Sequence, residues 1–231
     1  MSLIDYIRRF RDLPSSERGR LEKGNIPMRL PSALLALPLL AVSYPALADR
    51  DQRRLERIEE KLEDLTPEHF QETASVSGDD LDTLITITTQ DGFRHRGGFS
   101  DRYRTDSFVR AFVSRETGEA SFQIYATITY NRDWRHYNRV NFATAGGPKS
   151  ADLDRIGTDA NCEYSVCVLT EIVGFTVDEE TLRAIAADGS DPWRFRFYAR
   201  SGDDWTELMS RAELAGALAA VDAYRASLQI E

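Results

Sequence analysis

The stretch Ala120-Ser-Phe-Gln-Ile-Tyr-Ala-Thr-Ile-Thr-Tyr130 alternates strictly between two kinds of side chain. One face carries the apolar set: Ala120, Phe122, Ile124, Ala126, Ile128 and Tyr130. The other face carries the more polar set: Ser121, Gln123, Tyr125, Thr127 and Thr129. Because successive side chains of a strand point to opposite faces of a sheet, the stretch predicts a long strand with one buried face.

A second β-rich run, 108–114, precedes this strand, and the glycine-containing loop 115–119 separates the two. Two such runs around a short loop predict a β-hairpin. Further strands are predicted at 84–89, 137–142, 166–177 and 193–200. Helices do not separate successive strands, which favours antiparallel pairing. We therefore expect an α+β fold, mainly an antiparallel β-sheet or sandwich with peripheral helices, including a C-terminal helix.

Helices are predicted on both sides of these strands. Residues 49–66 form a charged amphipathic helix with a narrow apolar seam: Leu55, Ile58, Leu62 and Leu65. That seam could lie on the rest of the chain or could dock a partner. Asp178 is a candidate cap for a helix over 178–187. Ser210-Arg-Ala-Glu213 matches a capping box, in which serine and glutamate bond each other's backbone amides. The helix that follows is expected to bury Leu214, Leu218 and Val221.

Residues 28–48 follow the pattern of a secretory signal peptide. Arg29 gives a positive start, 34–42 is an apolar centre, and Ala46-Leu47-Ala48 puts small residues before Asp49, where cleavage is expected. The apolar centre is shorter than the ~20 residues that span a bilayer, so no stable membrane span is expected after cleavage. We therefore expect a periplasmic or secreted mature protein. A buried helix of a cytosolic protein is the alternative interpretation.

Residues 1–27 are mixed in charge, unlike the short positive start of a signal peptide. We interpret them as a leader, either disordered or wrongly assigned upstream of a true start at Met28. The β-rich globular domain is expected over 67–231.

The charge balance bears on the class of partner. The 231 residues carry a formal net charge of −9. Loss of residues 1–48 removes seven basic and four acidic side chains, leaving 22 basic and 34 acidic ones and a net charge of −12. Such a balance argues against a nucleic acid partner. The sequence has no nucleotide-binding loop and no complete metal site, so neither a cofactor nor a metal is predicted.

Cys162 and Cys167 are the two cysteines of the chain. An extended strand between them would span roughly 16 Å, beyond the ~7 Å between Cα atoms that a disulfide allows. A disulfide therefore requires a tight reversal at 163–166, although 157–161 is richer in turn-forming residues. An oxidising compartment favours the bond, and we predict it. A redox pair or half of a metal site is the alternative.

Cys162 and Cys167 are followed by Glu171-Ile-Val-Gly-Phe-Thr-Val, a short helix, an aromatic strand and an Ala/Leu-rich helix. This arrangement, over roughly 160–225, resembles uncharacterised exported bacterial proteins. The resemblance implies export and brings no established activity.

The segment Asn131-Arg-Asp-Trp-Arg-His-Tyr-Asn-Arg139 combines arginines, aromatic rings and a histidine. Arginine offers a forked set of donors and aromatic rings offer stacking faces. Candidate contacts for an anionic or sugar-like ligand are therefore Arg135, His136, Tyr137 and Arg139. A connection between strands with cross-strand charge pairs is the alternative. No residue is assigned a catalytic role.

Three other groups of side chains have a structural and a functional interpretation. His95 could serve a hydrolase with Ser100 and Asp101, and His136 could do so with Ser107, but the sequence has no Gly-x-Ser-x-Gly motif. Three arginines share one face of the last predicted strand, as an anion-binding strip or as partners of the acidic surface: Arg194, Arg196 and Arg200. The aspartates of 78–82 and 201–204 fit solvated turns and lack EF-hand spacing.

Together these features predict an exported, non-enzymatic binding or envelope-associated protein, with an envelope protein or a glycan as its partner. The alternatives are a small exported hydrolase that uses His95 or His136, and a structural accessory that docks through helix 49–66.

Overall fold

The computed structural model describes residues 45–93, 105–163, 166–189 and 192–228. Four helices lie in these ranges: α1 (Pro45–Leu62), α2 (Pro67–Thr73), α3 (Glu179–Ala187) and α4 (Arg211–Ser227). The first five strands are β1 (Ser75–Ser77), β2 (Leu84–Thr88), β3 (Asp106–Ser114), β4 (Ala120–Asn131) and β5 (Tyr137–Phe142). The others are β6 (Lys149–Asp152), β7 (Asp154–Glu163), β8 (Val166–Val177), β9 (Trp193–Ala199) and β10 (Trp205–Met209).

The strands form two antiparallel sheets. The six-stranded sheet has the order β1-β2-β3-β4-β8-β7, and the four-stranded sheet has the order β10-β9-β5-β6. The predicted hairpin is confirmed, with β3 and β4 paired from Asp106 opposite Thr127 to Val113 opposite Ala120. The α+β class, its antiparallel pairing and its C-terminal helix are therefore confirmed.

Phe175 joins the cores of the two sheets. It lies on β8 of the six-stranded sheet and is fully buried. Its ring centroid is 5.5 Å from Phe142 and 5.8 Å from Phe195, both of which belong to the four-stranded sheet. Burying one large apolar side chain contributes about 1.5–3 kcal/mol. The alternating face of β4 lies in this same core, so its predicted burial is confirmed.

Helix α4 covers part of the six-stranded sheet and differs from the predicted capping box. Ser210 caps the helix as expected, because its Oγ accepts from the Ala212 backbone N–H at 3.2 Å. The Glu213 side chain points into the core, where it accepts a hydrogen bond from Thr89 Oγ1 at 2.5 Å. Thr89 continues the ladder of β2 by pairing with Val109 of β3. Glu213 therefore joins helix to sheet, which local sequence spacing cannot indicate.

Helix α1 packs on the edge strand β10. Leu55 and Leu62 form a small buried cluster with Leu208 of that strand, with Ile58 and Leu65 packed beside it. The Arg54 guanidinium lies 3.9 Å from the Trp205 ring centroid and donates to the Thr206 carbonyl oxygen. The apolar seam of the predicted helix is thus occupied within the chain itself.

Sequence patterns did not indicate β1, β6, β7 or β10. These strands lie at the edges of the two sheets. An edge strand pairs with a neighbour on one side only, and apolar alternation is not required there. Residues 157–161, richest in turn-forming types, lie inside β7, and that expectation is wrong. The chain reverses between Glu163 and Val166, which are directly paired.

The cysteines face each other across this β7–β8 hairpin. Cys162 pairs with Cys167 in the ladder, their Cα atoms are 4.0 Å apart, and their sulfurs are bonded. The predicted disulfide is therefore present. A disulfide that closes a loop of this length adds about 2 kcal/mol to the free energy of unfolding by restricting the unfolded chain. The bond therefore stabilises the tip of the hairpin locally.

Most of the proposed signal peptide lies outside the described residues, as does the leader 1–27. Ala46, Ala48 and Asp49 lie within α1, so cleavage after Ala48 would shorten that helix at its start and leave the apolar seam intact. None of the helices in the described ranges has the length and apolar character needed to cross a membrane.

Glu213 makes the free energy of unfolding depend on pH, and this dependence can be measured. Burial raises the pKa of its carboxyl from 4.5 to about 8. The native state then holds the proton more tightly than the unfolded chain, so this group lowers the free energy of unfolding as the pH rises through that window. We expect Glu213→Gln to gain stability relative to wild type by up to about 1.4 kcal/mol per pH unit.

Urea unfolding of both proteins at several pH values between 4.5 and about 8 measures this difference. Glu180→Gln, an exposed position on α3, is the matched control and should show no such trend. A stability difference between Glu213→Gln and wild type that stays constant with pH would contradict the prediction.

Candidate functional site

The connection between β4 and β5 folds around one buried carboxylate, Glu171 of β8. Glu171 lies opposite Ile128 of β4 and its side chain is 1% exposed. Its Oε1 accepts hydrogen bonds from the Tyr130 hydroxyl and, at 2.8 Å, from the His136 backbone N–H. Its Oε2 accepts from the Tyr137 backbone N–H at 3.1 Å. Both oxygens are therefore occupied by donors from the segment 130–137, which spans the end of β4, the loop and the start of β5.

These bonds hold a loop with unusual backbone angles. Arg132 has a φ of 85° and His136 a φ of 56°. Such left-handed conformations are uncommon for residues other than glycine and cost free energy that surrounding contacts must offset. The hydrogen bonds from the His136 and Tyr137 backbone N–H groups to Glu171 are such contacts. Glu171 therefore fixes the position of His136 at the protein surface.

Arg135 and Tyr137 belong to the interior of this network. The Arg135 backbone N–H donates to the Tyr130 hydroxyl at 3.0 Å, and its Nη1 donates to the Tyr137 hydroxyl at 2.9 Å. The same guanidinium lies 4.4 Å from the Tyr130 ring centroid. Burial raises the pKa of Tyr130 and raises that of Tyr137 to about 12. Both hydroxyls stay protonated at neutral pH and can donate.

The outer side of the network presents a cationic and aromatic group that we call the rim: Trp134, His136 and Arg155. The Arg155 side chain is 54% exposed, and its Nη2 lies 3.9 Å from Glu171 Oε2. Its Nη2 is 3.1 Å from His136 Nδ1. Because a guanidinium can only donate, Nδ1 accepts this bond and the ring proton resides on Nε2. The Trp134 ring stacks near His136, with centroids 6.4 Å apart and planes inclined by 23°.

Arg139 lies apart from the rim. Its guanidinium lies 4.5 Å from the Tyr198 ring centroid, across the β5–β9 pair of the four-stranded sheet. Of the four predicted ligand contacts, His136 thus reaches the rim, Arg135 and Tyr137 stabilise it from inside, and Arg139 occupies a different surface.

Sequence reasoning missed Glu171, Tyr130 and Arg155 as parts of this site. A signal for Glu171 was present, because it is the single charged residue in the otherwise uncharged strand 166–177, and buried carboxylates need partners. Arg155 gave no signal because its strand, β7, was not predicted.

Among the described residues, the His136 ring has no carboxylate or hydroxyl group as a hydrogen-bond partner. Its ring has the Arg155 guanidinium as a neighbour, while Glu171 contacts its backbone amide. Ser107 is buried on β3, whereas His136 is exposed. His95, Ser100 and Asp101 lie outside the described residues. The remaining histidine, His69, has Nε2 2.7 Å from the Gly92 carbonyl oxygen, a contact between α2 and the loop after β2.

The acidic turns bond their own backbone. Asp79 Oδ1 accepts from the Leu81 N–H at 2.8 Å, and Asp82 Oδ2 accepts from the Asp79 N–H at 2.9 Å. In the second turn, Asp204 Oδ1 accepts from the Ala199 N–H at 3.0 Å. Across the described ranges, no three His, Cys, Asp or Glu side chains gather as metal ligands would.

The fold defines an α+β protein in which a buried glutamate positions a cationic and aromatic rim. No family model, curated protein or solved structure matches the chain. The resemblance of 160–225 to exported bacterial proteins therefore stays a prediction, and the function is argued from the site alone.

Replacing Glu171 tests whether it supports the loop. Glu171→Ala leaves the His136 and Tyr137 amides and the Tyr130 hydroxyl without their acceptor, and each buried group left unpaired costs about 1–3 kcal/mol. We expect a loss of about 3–5 kcal/mol in the free energy of unfolding, measured by urea denaturation. Tyr130→Phe removes one donor to Glu171 and also the acceptor of the Arg135 N–H, so it should cost about 1–3 kcal/mol. A smaller loss for Glu171→Ala than for Tyr130→Phe would show that the loop does not depend on the carboxylate.

Proposed function

We propose that the chain is an exported, non-enzymatic binding protein of the bacterial envelope, and that the rim contacts an anionic, ring-bearing ligand such as an acidic glycan. The signal-peptide pattern of residues 28–48 supports export. The disulfide between Cys162 and Cys167 agrees with an oxidising compartment.

One observation carries the proposal: Glu171 fixes His136 beside the exposed Arg155. A guanidinium supplies donors that match a carboxylate or sulfate group. The His136 Nε2–H is a further donor, and the Trp134 ring, half-buried against the core, offers an apolar face of the kind that sugars contact. Because the loop is held before any ligand arrives, little conformational entropy is lost on binding.

The same geometry favours binding over hydrolysis. The Glu171 carboxyl that binds the His136 amide has both oxygens engaged by fixed donors, so it is not placed to orient the imidazole as a base. The accessory function, in which the α1 seam docks a partner, would require that partner to displace Leu208 from the seam.

Binding is tested with polygalacturonate as an acidic glycan and dextran as a neutral one, by isothermal titration calorimetry. We expect wild type to bind polygalacturonate in preference to dextran. The double variant His136→Asn/Arg155→Gln should bind at least about tenfold more weakly, a loss of about 1.4 kcal/mol. Asparagine suits position 136 because it tolerates a positive φ.

Arg57→Gln, an exposed arginine on α1, controls for the loss of one positive charge and should bind as wild type does. Equal affinity of wild type and the double variant for polygalacturonate would refute the role of the rim, as would equal affinity of wild type for both polymers.

Export is tested separately, by expressing the full chain with a C-terminal tag in a bacterium that has a periplasm. We expect the periplasmic fraction to contain a product whose N-terminus, read by mass spectrometry, is Asp49. Signal peptidase requires small residues before the cut, so Ala46→Lys/Ala48→Lys should accumulate uncleaved precursor. A cytosolic product that retains residues 28–48 would exclude the proposed compartment without bearing on the rim.

A further inference from the structure

A second surface of the chain forms a pocket between α1 and the hairpin β9–β10. The pocket has a volume of about 330 Å³. The described residues that line it are Asp51, Gln52, Arg54, Leu55, Arg194, Arg196, Asp204, Trp205 and Thr206. This volume lies within the range of small-molecule sites. The rim contributes none of these residues, so the pocket is a separate feature.

The two arginines of β9 are the exposed cations of this pocket. Arg194 and Arg196 lie on the same face of the strand, about 7 Å apart along the backbone. Arg196 Nε donates to Thr206 Oγ1 at 3.0 Å. Within the described ranges neither arginine forms an ion pair. In a chain with excess negative charge, two adjacent cations without carboxylate partners favour an anion-binding strip over an internal charge pair.

The pocket wall opposite β9 is held in place. Arg54 lies over Trp205, donates to the Thr206 carbonyl oxygen and has Nη1 3.6 Å from Glu207 Oε2. Glu207 is buried and also accepts from Trp205 Nε1 at 2.9 Å. These contacts fix α1 against β10, so the pocket exists without a ligand. Arg54 Nε is buried and has no acceptor, an arrangement that normally costs free energy.

We infer that this pocket binds a small ligand with two neighbouring anionic groups of the diphosphate kind, through the guanidinium groups of Arg194 and Arg196. Guanidinium forks bind phosphate oxygens in a bidentate manner. The spacing of the two arginines suits two linked anionic groups better than one. Asp51 and Asp204 also line the pocket, and their carboxylates disfavour a long polyanion by repulsion.

Titration of the full chain with inorganic pyrophosphate tests the inference, with amide NMR shifts of Gln52 and Thr206 as local readouts. We expect saturable shifts in wild type with a Kd at or below about 1 mM. Arg194→Gln/Arg196→Gln should weaken the affinity at least tenfold. Both side chains are exposed and neither forms an ion pair within the described ranges, so the fold should survive, which unchanged amide shifts in β4 would verify.

Arg57→Gln/Arg200→Gln removes two exposed charges outside the pocket and should keep the wild-type affinity. Three results would overturn the inference: no saturable shift in wild type, equal affinity in wild type and Arg194→Gln/Arg196→Gln, or equal losses in both double variants, which would indicate nonspecific attraction. The outcome does not depend on glycan binding, because the two sites share no residue.

Discussion

Burial of one face of β4 is the constraint on which the other elements depend. The strand pairs with β3 on one side and with β8 on the other, so its alternating apolar residues lie at the centre of the six-stranded sheet. Part of that face meets the four-stranded sheet through Phe175, and α4 covers the part formed with β2 and β3. A one-residue shift in register would turn every apolar side chain outward. The free energy gained by burying this face therefore determines the strand register, the packing of the two sheets and the position of α4.

Within that core the protein keeps three buried glutamates, each with a different role. Glu213 joins α4 to the sheet through Thr89, Glu171 shapes the loop between β4 and β5, and Glu207 is the partner of Arg54 below α1. Burying an acidic side chain is costly unless donors surround it. Each of the three lies where two elements meet and accepts a donor from across that contact: Thr89 for Glu213, the His136 amide for Glu171 and Arg54 for Glu207. The polar interior thus specifies geometry, while the apolar interior supplies most of the stability.

Local pattern was enough to predict the elements that face the core. The bounds of β5 and β8, the cap at Asp178 and the buried stripe of α4 all follow from spacing that is visible in the sequence. The edge strands β6 and β7 were not predicted, because they bury few side chains and therefore show little apolar alternation. The site was only partly predictable for a related reason. His136 lies in a polar and aromatic segment that could be recognised in the sequence. Glu171 and Arg155 approach it from strands that are distant in sequence. Local composition does not indicate which distant residues meet in the fold.

The exposed edge strand β7 has a consequence for how copies of this protein behave at high concentration. An open, flat and apolar edge would offer its free amides and carbonyls to a neighbouring copy and seed fibrous aggregates. Here the register shifts between Arg155 and Gly157, and the acidic side chains of Asp154 and Asp159 stand exposed along the strand. A bulge twists the edge and like charges repel a second edge. The register shift beside Arg155 and the acidic side chains therefore disfavour pairing of this edge with a second copy.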